Sequence, residues 1–181
     1  NAHEANETID RCKQRQINPH QRFVALQADI SSTEQRAALV EKTIQEFRRI
    51  DVLVNNAGIA PKVRTDMTEM TEESFQEVLA TNLQGPHFLT QLVVKYWLKN
   101  KVQPLLPGGL AVIFVSSVSA EMASINRGEY CISKAGLAMV AKLWATRLAS
   151  EGIQVFELRP GILATDMSSS VKQNYDAMLA E

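Results

Sequence analysis

The length, composition and charge of the chain describe a single folded domain. Its 181 residues are enough for one sizeable core and too few for two ordinary domains. The 45% of hydrophobic and 22% of charged residues exclude a disordered or fibrous chain. A net charge of −1 without a basic cluster argues against nucleic-acid binding. No apolar run approaches the ~20 residues that a membrane span needs, and two cysteines fit a reducing, cytoplasmic compartment.

The first third of the chain predicts alternating helices and strands. In order, the elements are a weak polar helix over 1–16, a short buried strand over 23–28, a helix over 33–49 and a strand over 51–55. Ser32 is placed as the N-cap of the second helix, with Gln35 as its capping-box partner.

The alternation continues to the end of the chain. The remaining elements are a long helix over 71–99, a loop over 103–109, a strand over 110–115, a helix over 129–150 and a strand over 155–158. Thr71 begins the long helix, and Pro86 inside it predicts a kink near 82–86. Gly152 ends the next helix. From Thr165 onward we expect a loop that leads into a helix.

Strands that alternate with helices predict an α/β fold with a doubly wound parallel sheet, Rossmann-like, covered by helices on both faces. Ligands of such sheets bind at the carboxyl ends of the strands, so the residues there are the candidates for a site. They are Asp29, Asn55, Asn56, Ala57, Gly58, Ser116, Ser117, Pro160 and Gly161.

Tyr130 and Lys134 lie four residues apart at the start of a helix, so their side chains share one face. Most such pairs are exposed neighbours without chemistry, but this one follows the clearest strand. A phenol with a reference pKa of ~10 is a poor acid at neutral pH. A nearby ammonium, together with a nicotinamide ring, would lower that pKa, so that Tyr130 can protonate a carbonyl oxygen. Ser117 would donate a hydrogen bond to the same oxygen.

These residues resemble the short-chain dehydrogenase/reductase family, nearest to its 3-oxoacyl-acyl-carrier-protein reductases. The resemblance covers 23–167 and rests on Val54–Gly58, Thr81–Gly85, Ser117, Tyr130–Lys134 and Arg159–Thr165. Ser117 precedes Tyr130 by 13 residues, which is the spacing of the family.

The resemblance implies four catalytic residues. Tyr130 is the general acid in reduction and the base in oxidation, and Lys134 holds the nicotinamide ribose. Ser117 orients the carbonyl, and Asn82 exposes backbone for a proton-relaying water. The resemblance implies NAD or NADP as the cofactor, bound by Asp29, Ile30, Asn56, Ala57, Gly58, Tyr130, Lys134, Pro160, Gly161, Leu163 and Thr165.

Several of these residues also allow a purely structural interpretation. Asn56 and Gly58 can simply shape a turn, and Asn82 can simply tolerate a helix bend. Ser117 can satisfy backbone groups at a strand end, and Asp29 can cap the helix that follows. Separately, Cys131 is interpreted as a packed side chain, and the histidines lack the ligand spacing of a metal site.

The dinucleotide glycine fingerprint does not occur among the eight glycines. We therefore interpret 1–181 as a single Rossmann-like domain that lacks the N-terminal glycine-rich β-α-β unit and the C-terminal strand. In the sheet order that the resemblance implies, the strand at 23–28 then has no partner. We expect the biological chain to extend at both ends, which its intact mass would test.

The predicted function is an NAD(P)(H)-dependent oxidoreductase that interconverts a ketone, such as a 3-oxoacyl thioester, and a secondary alcohol. The alternative is an inactive family member or truncated subunit that acts as a binding module. The expected partner is a small molecule, free or linked to acyl-carrier protein, with no nucleic acid or membrane. By resemblance, the helices at 71–99 and 129–150, with Trp97 and Trp144 in their excess apolar surface, pair in a homodimer or homotetramer.

Overall fold

A computed structural model describes residues 2–161 of the chain. Three parallel strands form its sheet in the order β1-β2-β3: β1 Val52–Asn55, β2 Ala111–Val115 and β3 Gln154–Leu158. The register places Asn55 beside Phe114, and Phe114 beside Glu157. The three strands predicted nearest to these positions are therefore confirmed, and their carboxyl ends lie at one edge of the sheet.

Within the described part of the chain, five α-helices connect and flank the strands: α1 Ala2–Gln14, α2 Thr33–Phe47, α3 Glu72–Leu79, α4 Gly85–Asn100 and α5 Gly128–Leu148. The N-caps predicted at Ser32 and Thr71 are confirmed, because Ser32 accepts the N–H of Gln35 and Thr71 accepts that of Ser74. The capping-box prediction for Gln35 is wrong, because its side chain accepts the N–H of Asp29 at 2.9 Å and not that of Ser32. A short 3₁₀ turn follows α5, and Gly152 ends it at φ +67°. A side chain there would be strained, which is why a glycine stops this helix.

The predicted strand at 23–28 does not form. This segment has no regular hydrogen-bonded structure and lies between α1 and α2. A strand is stabilised by backbone pairing with a neighbour, and β1 pairs only with β2 among the described residues. The apolar pattern of the segment is therefore not sufficient to make it a strand.

The long helix predicted over 71–99 is interrupted by a π-helical turn at Ala80–Gln84. Pro86 has no N–H, so the carbonyl of Asn82 loses its ordinary α-helical donor. The chain widens into a π turn at this point, and α4 restarts at Gly85. The π turn overlaps the position near 82–86 where a kink was predicted, and it carries Asn82 within it.

The hydrophobic core lies between one face of the sheet and helices α2, α4 and α5. Val112 and Phe114 are fully buried there. Trp97 is 1% exposed, and its Nε1 donates to the carbonyl of Ile50 at 2.7 Å. The expectation that Trp97 contributes to excess apolar surface is therefore wrong, because this ring fills the core of its own chain.

The opposite face of the sheet is apolar and exposed within residues 2–161. It carries alternate side chains of the strands, among them Val52, Val54, Phe156 and Leu158. Parallel sheets are normally covered on both faces. Helices α2, α4 and α5 thus form one of the two layers that such a sheet requires.

Candidate active site

The candidate site lies at the carboxyl edge of the sheet. Backbone pairing continues past the strand ends, because the N–H of Ser116 donates to Leu158 at 2.8 Å and that of Val118 donates to Pro160 at 3.2 Å. The loop that carries Ser117 is therefore held beside the loop that carries Pro160 and Gly161. The partly exposed positions of these residues leave them accessible to a ligand.

Tyr130 and Lys134 lie in the first turns of α5, close to the end of β2. The amine of Lys134 donates to the carbonyl of Val115 at 3.0 Å. Its Nζ also lies 5.6 Å from the centroid of the Tyr130 ring. Lys134 is only 4% exposed, whereas Tyr130 is half-buried. The helix thus places a buried cation beneath a more accessible phenol ring.

Burial alone lowers the pKa of Lys134 from 10.5 to about 8. The desolvated ammonium makes one hydrogen bond in the described structure, although an ammonium can donate three. At pH 7 the charged form still predominates, since this pH lies below the shifted pKa. The site therefore holds a positive charge with two unused N–H groups at neutral pH.

We expect the titration of Lys134 to be visible by nuclear magnetic resonance. In protein labelled with ¹³C-lysine, the Cε resonance of Lys134 should titrate with a midpoint of about 8. The Lys134→Met variant should lack that resonance. A Lys134 midpoint at the ordinary value would contradict the proposed desolvation.

Asn82 is fully buried and ties the loop after β1 to α5. Its Oδ1 accepts the N–H of Ile59 at 2.8 Å, and its Nδ2 donates to the carbonyl of Ile59 at 2.9 Å. The same Nδ2 donates to the hydroxyl of Ser133 at 3.1 Å. The π turn thus places the side-chain amide of Asn82 where it holds Ile59 and Ser133 in position near Lys134.

Gly58 lies where a side chain would crowd both groups. A Cβ at this position would be 3.2 Å from Oδ1 of Asn82 and 3.4 Å from Nζ of Lys134. The glycine therefore lets the backbone after β1 approach the buried amide and ammonium closely. Asn56 and Ala57, just before it, are exposed.

Ser117 lies at the end of the loop after β2 and begins a short 3₁₀ turn. Its Oγ accepts the backbone N–H of Ser119 at 3.1 Å. Because the oxygen is the acceptor in this bond, the hydroxyl proton remains available to a ligand. Ser117 thus caps the turn and keeps a free donor at the same time.

Asp29 and Ile30 are held by local contacts at the start of α2. The Asp29 carboxylate accepts the hydroxyl of Ser31 at 2.7 Å and the N–H of Ser31 at 2.8 Å. These two hydrogen bonds lower the pKa of Asp29, and the bond from the hydroxyl has the larger effect. Ile30 lies against Gly85, where a Cβ would be 2.9 Å from its carbonyl oxygen. These contacts are those of a structured turn. Leu163 and Thr165 lie outside the described residues.

Two residues of the site are missing from the sequence-based prediction. Ser133 is fully buried and bridges Asn82 to the carbonyl of Tyr130, to which its hydroxyl donates at 2.8 Å. Glu129 is 3% exposed and accepts the hydroxyl of Ser74 in α3 at 2.8 Å. In the sequence, only their positions next to Tyr130 and Lys134 indicate that Glu129 and Ser133 belong to the site. Their hydrogen-bond partners, Ser74 and Asn82, lie more than 50 residues away along the chain.

The remaining candidate chemistries have little support in the described structure. Residues 2–161 contain no group of three or more metal-ligating side chains. Cys12 and Cys131 are both free thiols, and the Cys131 sulfur donates a weak hydrogen bond to the carbonyl of Met122 at 3.7 Å. No helix in this range combines the length and apolar character that crossing a membrane requires.

The fold and the site define an α/β protein whose tyrosine–lysine pair lies at the carboxyl edge of a parallel sheet. The family model for short chain dehydrogenases matches residues 1–176. The chain belongs to the short-chain dehydrogenase family.

Individual relatives agree with this assignment. A 3-oxoacyl-[acyl-carrier-protein] reductase of Synechocystis is 35% identical over 82% of this chain and 56% of the relative. A 2-dehydro-3-deoxy-D-gluconate 5-dehydrogenase of Dickeya dadantii is 32% identical over 86% of this chain and 58% of the relative. The crystal structure of a 3-oxoacyl-[acyl-carrier protein] reductase from Brucella melitensis in complex with NAD superposes with a TM-score of 0.83. It is 38% identical, with 88% of this chain and 62% of that chain covered.

The chain spans less than two thirds of the length of these relatives. The region that it matches includes the candidate site described above. The family and the fold therefore apply to the chain directly.

Proposed function

We propose that this protein is an NAD(P)(H)-dependent oxidoreductase that interconverts a ketone and a secondary alcohol, with Tyr130 as the general acid and base. The observation that carries the proposal is the buried Lys134 ammonium, 5.6 Å from the Tyr130 ring. A fixed cation beside a phenol stabilises the phenolate that forms when the proton leaves. An exposed tyrosine–lysine pair would not provide this.

The residues present fit a nicotinamide cofactor, NAD or NADP. Lys134 has two N–H groups that no described residue accepts and that can bind ribose hydroxyls, and Gly58 lets the backbone approach without a side chain. Asp29, Ile30, Asn56, Ala57, Pro160 and Gly161 are the further cofactor candidates among the described residues. The cofactor, when bound, supplies or accepts the hydride at the carbonyl carbon.

The side chains of the site manage the proton. In reduction, the phenol of Tyr130 gives its proton to the carbonyl oxygen, and Lys134 stabilises the phenolate left behind. Ser117 donates a hydrogen bond from its hydroxyl to the same oxygen, keeps its own proton, and so orients the carbonyl. Asn82 holds the loop at Ile59, and its own carbonyl, which lacks an α-helical donor because Pro86 has no N–H, is the acceptor we propose for a proton-relaying water.

The substrate class remains a ketone or secondary alcohol of small size. The relatives include a 3-oxoacyl-[acyl-carrier-protein] reductase and a 2-dehydro-3-deoxy-D-gluconate 5-dehydrogenase. A 3-oxoacyl thioester is thus one substrate that we propose. The shared chemistry is the conversion between C=O and CH–OH.

We also propose that the protein forms a homodimer or homotetramer and acts in the cytoplasm. Phe88, Met139 and Leu143 are exposed apolar side chains on α4 and α5. They support pairing of these helices with a second copy, because surface apolar clusters mark association sites. The free thiols of Cys12 and Cys131 support a reducing compartment.

The proposed function is tested by the loss of NADH or NADPH absorbance with a panel of ketones. Wild type should consume the cofactor, and Tyr130→Phe should lower kcat by about 10²- to 10⁴-fold because it removes only the exchanged proton. Equal turnover by both would refute the role of Tyr130. A folded wild type without turnover on any ketone would favour the alternative, an inactive binding module.

A further inference from the structure

Arg127 directly precedes α5 and belongs to the immediate surroundings of Tyr130. Its carbonyl accepts the N–H groups of Tyr130 at 3.1 Å and Cys131 at 3.2 Å, so its backbone is fixed by the helix start. Its side chain folds along the helix, with Cζ 5.5 Å from the centroid of the Tyr130 ring. The phenol ring thus contacts two cations, Arg127 and Lys134.

The guanidinium of Arg127 has no anionic partner within residues 2–161. The described arginine ion pairs belong to Arg22, Arg49, Arg147 and Arg159. Glu129, two residues away, is buried against Ser74 instead. The Nε of Arg127 is buried and makes no hydrogen bond to any group of residues 2–161. A partly desolvated cation therefore lies unpaired beside the proposed proton donor.

Arg159, unlike Arg127, has carboxylate partners within the protein. Arg159 lies at the end of β3 and is held by Glu157 and Glu121, so its charge is neutralised within the protein. Burying part of a cation costs free energy unless an anion compensates for it. The contact of Arg127 with the Tyr130 ring compensates only in part, because it is a cation–π contact at 5.5 Å and no guanidinium N–H of Arg127 donates a hydrogen bond within the described residues.

We propose that Arg127 is a specificity-determining residue that binds a carboxylate of the substrate. The substrates would then be oxo acids and their hydroxy acids, with the carboxylate close to the reacting carbonyl. A planar guanidinium binds a carboxylate through two parallel hydrogen bonds, which also fixes the orientation of the carbonyl towards Tyr130. This inference rests on the proposed function of Tyr130 and adds the class of substrate to it.

The test compares matched pairs of substrates that differ only in charge. Pyruvate, acetoacetate and levulinate are each assayed beside their methyl esters, with wild type, Arg127→Gln, Arg127→Lys and Tyr130→Phe. For the preferred acid, Arg127→Gln should lower kcat/KM by about 100-fold and leave its ester within a factor of three. Arg127→Lys should recover part of the loss, because it restores the charge without the fork.

Other outcomes separate this inference from the proposed function. If Arg127→Gln affects acid and ester equally, Arg127 acts on Tyr130 and the inference is overturned; no effect on either overturns it as well. Tyr130→Phe should impair acids and esters alike, so its result concerns only the proposed function. Calorimetric binding of the hydroxy acids gives a second readout without turnover, and equal affinity in wild type and Arg127→Gln would also overturn the carboxylate site.

Discussion

Replacing Lys134 with methionine should raise the free energy of unfolding at pH 7 and at the same time lower turnover by about 100-fold. The pKa of this amine falls from 10.5 in the exposed state to about 8 in the fold. The charged form is therefore disfavoured by folding, at a cost of about 3 kcal/mol. Methionine fills similar space without the charge, and it loses only the hydrogen bond to Val115, worth about 1 kcal/mol.

The sign of the effect follows from proton linkage. Because the unfolded chain binds the proton more tightly than the folded chain, wild-type stability should rise as the pH increases from about 8 to 10.5. Urea unfolding of wild type and Lys134→Met should therefore differ by about 2 kcal/mol at pH 7, and the methionine variant should lose this advantage above pH 10. Lys99→Met, at the end of α4, is the matched control and should change neither stability nor turnover. A destabilised Lys134→Met protein at pH 7 would contradict the argument.

A gain in stability with a loss of activity would identify the purpose of the buried charge. A core position that only needs to be filled is best occupied by an apolar side chain. An ammonium that destabilises the fold must have a function outside core packing. The ring of Tyr130, 5.6 Å away, is the group on which it acts. Stability and catalysis then make opposite demands on this position.

Local signals in the sequence were sufficient for most of the fold. The caps at Ser32 and Thr71 and the apolar runs of β1, β2 and β3 depend on neighbours within a few residues, and the structure contains all of them. The segment at 23–28 has a similar pattern and forms no strand. Pairing is a property of two segments, so one segment alone cannot predict it.

In the candidate site too, local contacts can be predicted from the sequence, whereas contacts between distant segments cannot. Tyr130 and Lys134 share a helix face because four residues make about one turn, which the spacing alone predicts. The contacts of Asn82 reach Ile59, 23 residues away, and Ser133, 51 residues away. The unpaired state of Arg127 depends on the absence of a carboxylate near it within 2–161, which only the fold reveals.

Replacing Asn82 with alanine should destabilise the protein by about 3–5 kcal/mol, the largest stability loss that we expect from a single side chain of the site. Three hydrogen bonds disappear, and the backbone N–H and C=O of Ile59 both lose the Asn82 side chain as their partner. Asn100→Ala is the matched control, because its exposed amide makes one bond to the carbonyl of Tyr96. That change should cost less than about 0.5 kcal/mol by urea unfolding.

The Asn82→Asp variant separates lost hydrogen bonds from lost volume. Aspartate keeps the size and still accepts the N–H of Ile59, but an ionised oxygen then faces the carbonyl of Ile59 in place of a donor. It should therefore be destabilised at pH 7 nearly as much as Asn82→Ala, and it should regain stability as the pH falls and the carboxyl takes up a proton. An Asn82→Asp protein as stable as wild type at pH 7 would show that Nδ2 is not essential. In that case the loop at Ile59 is held by other contacts, and the role of Asn82 reduces to its place in the π turn.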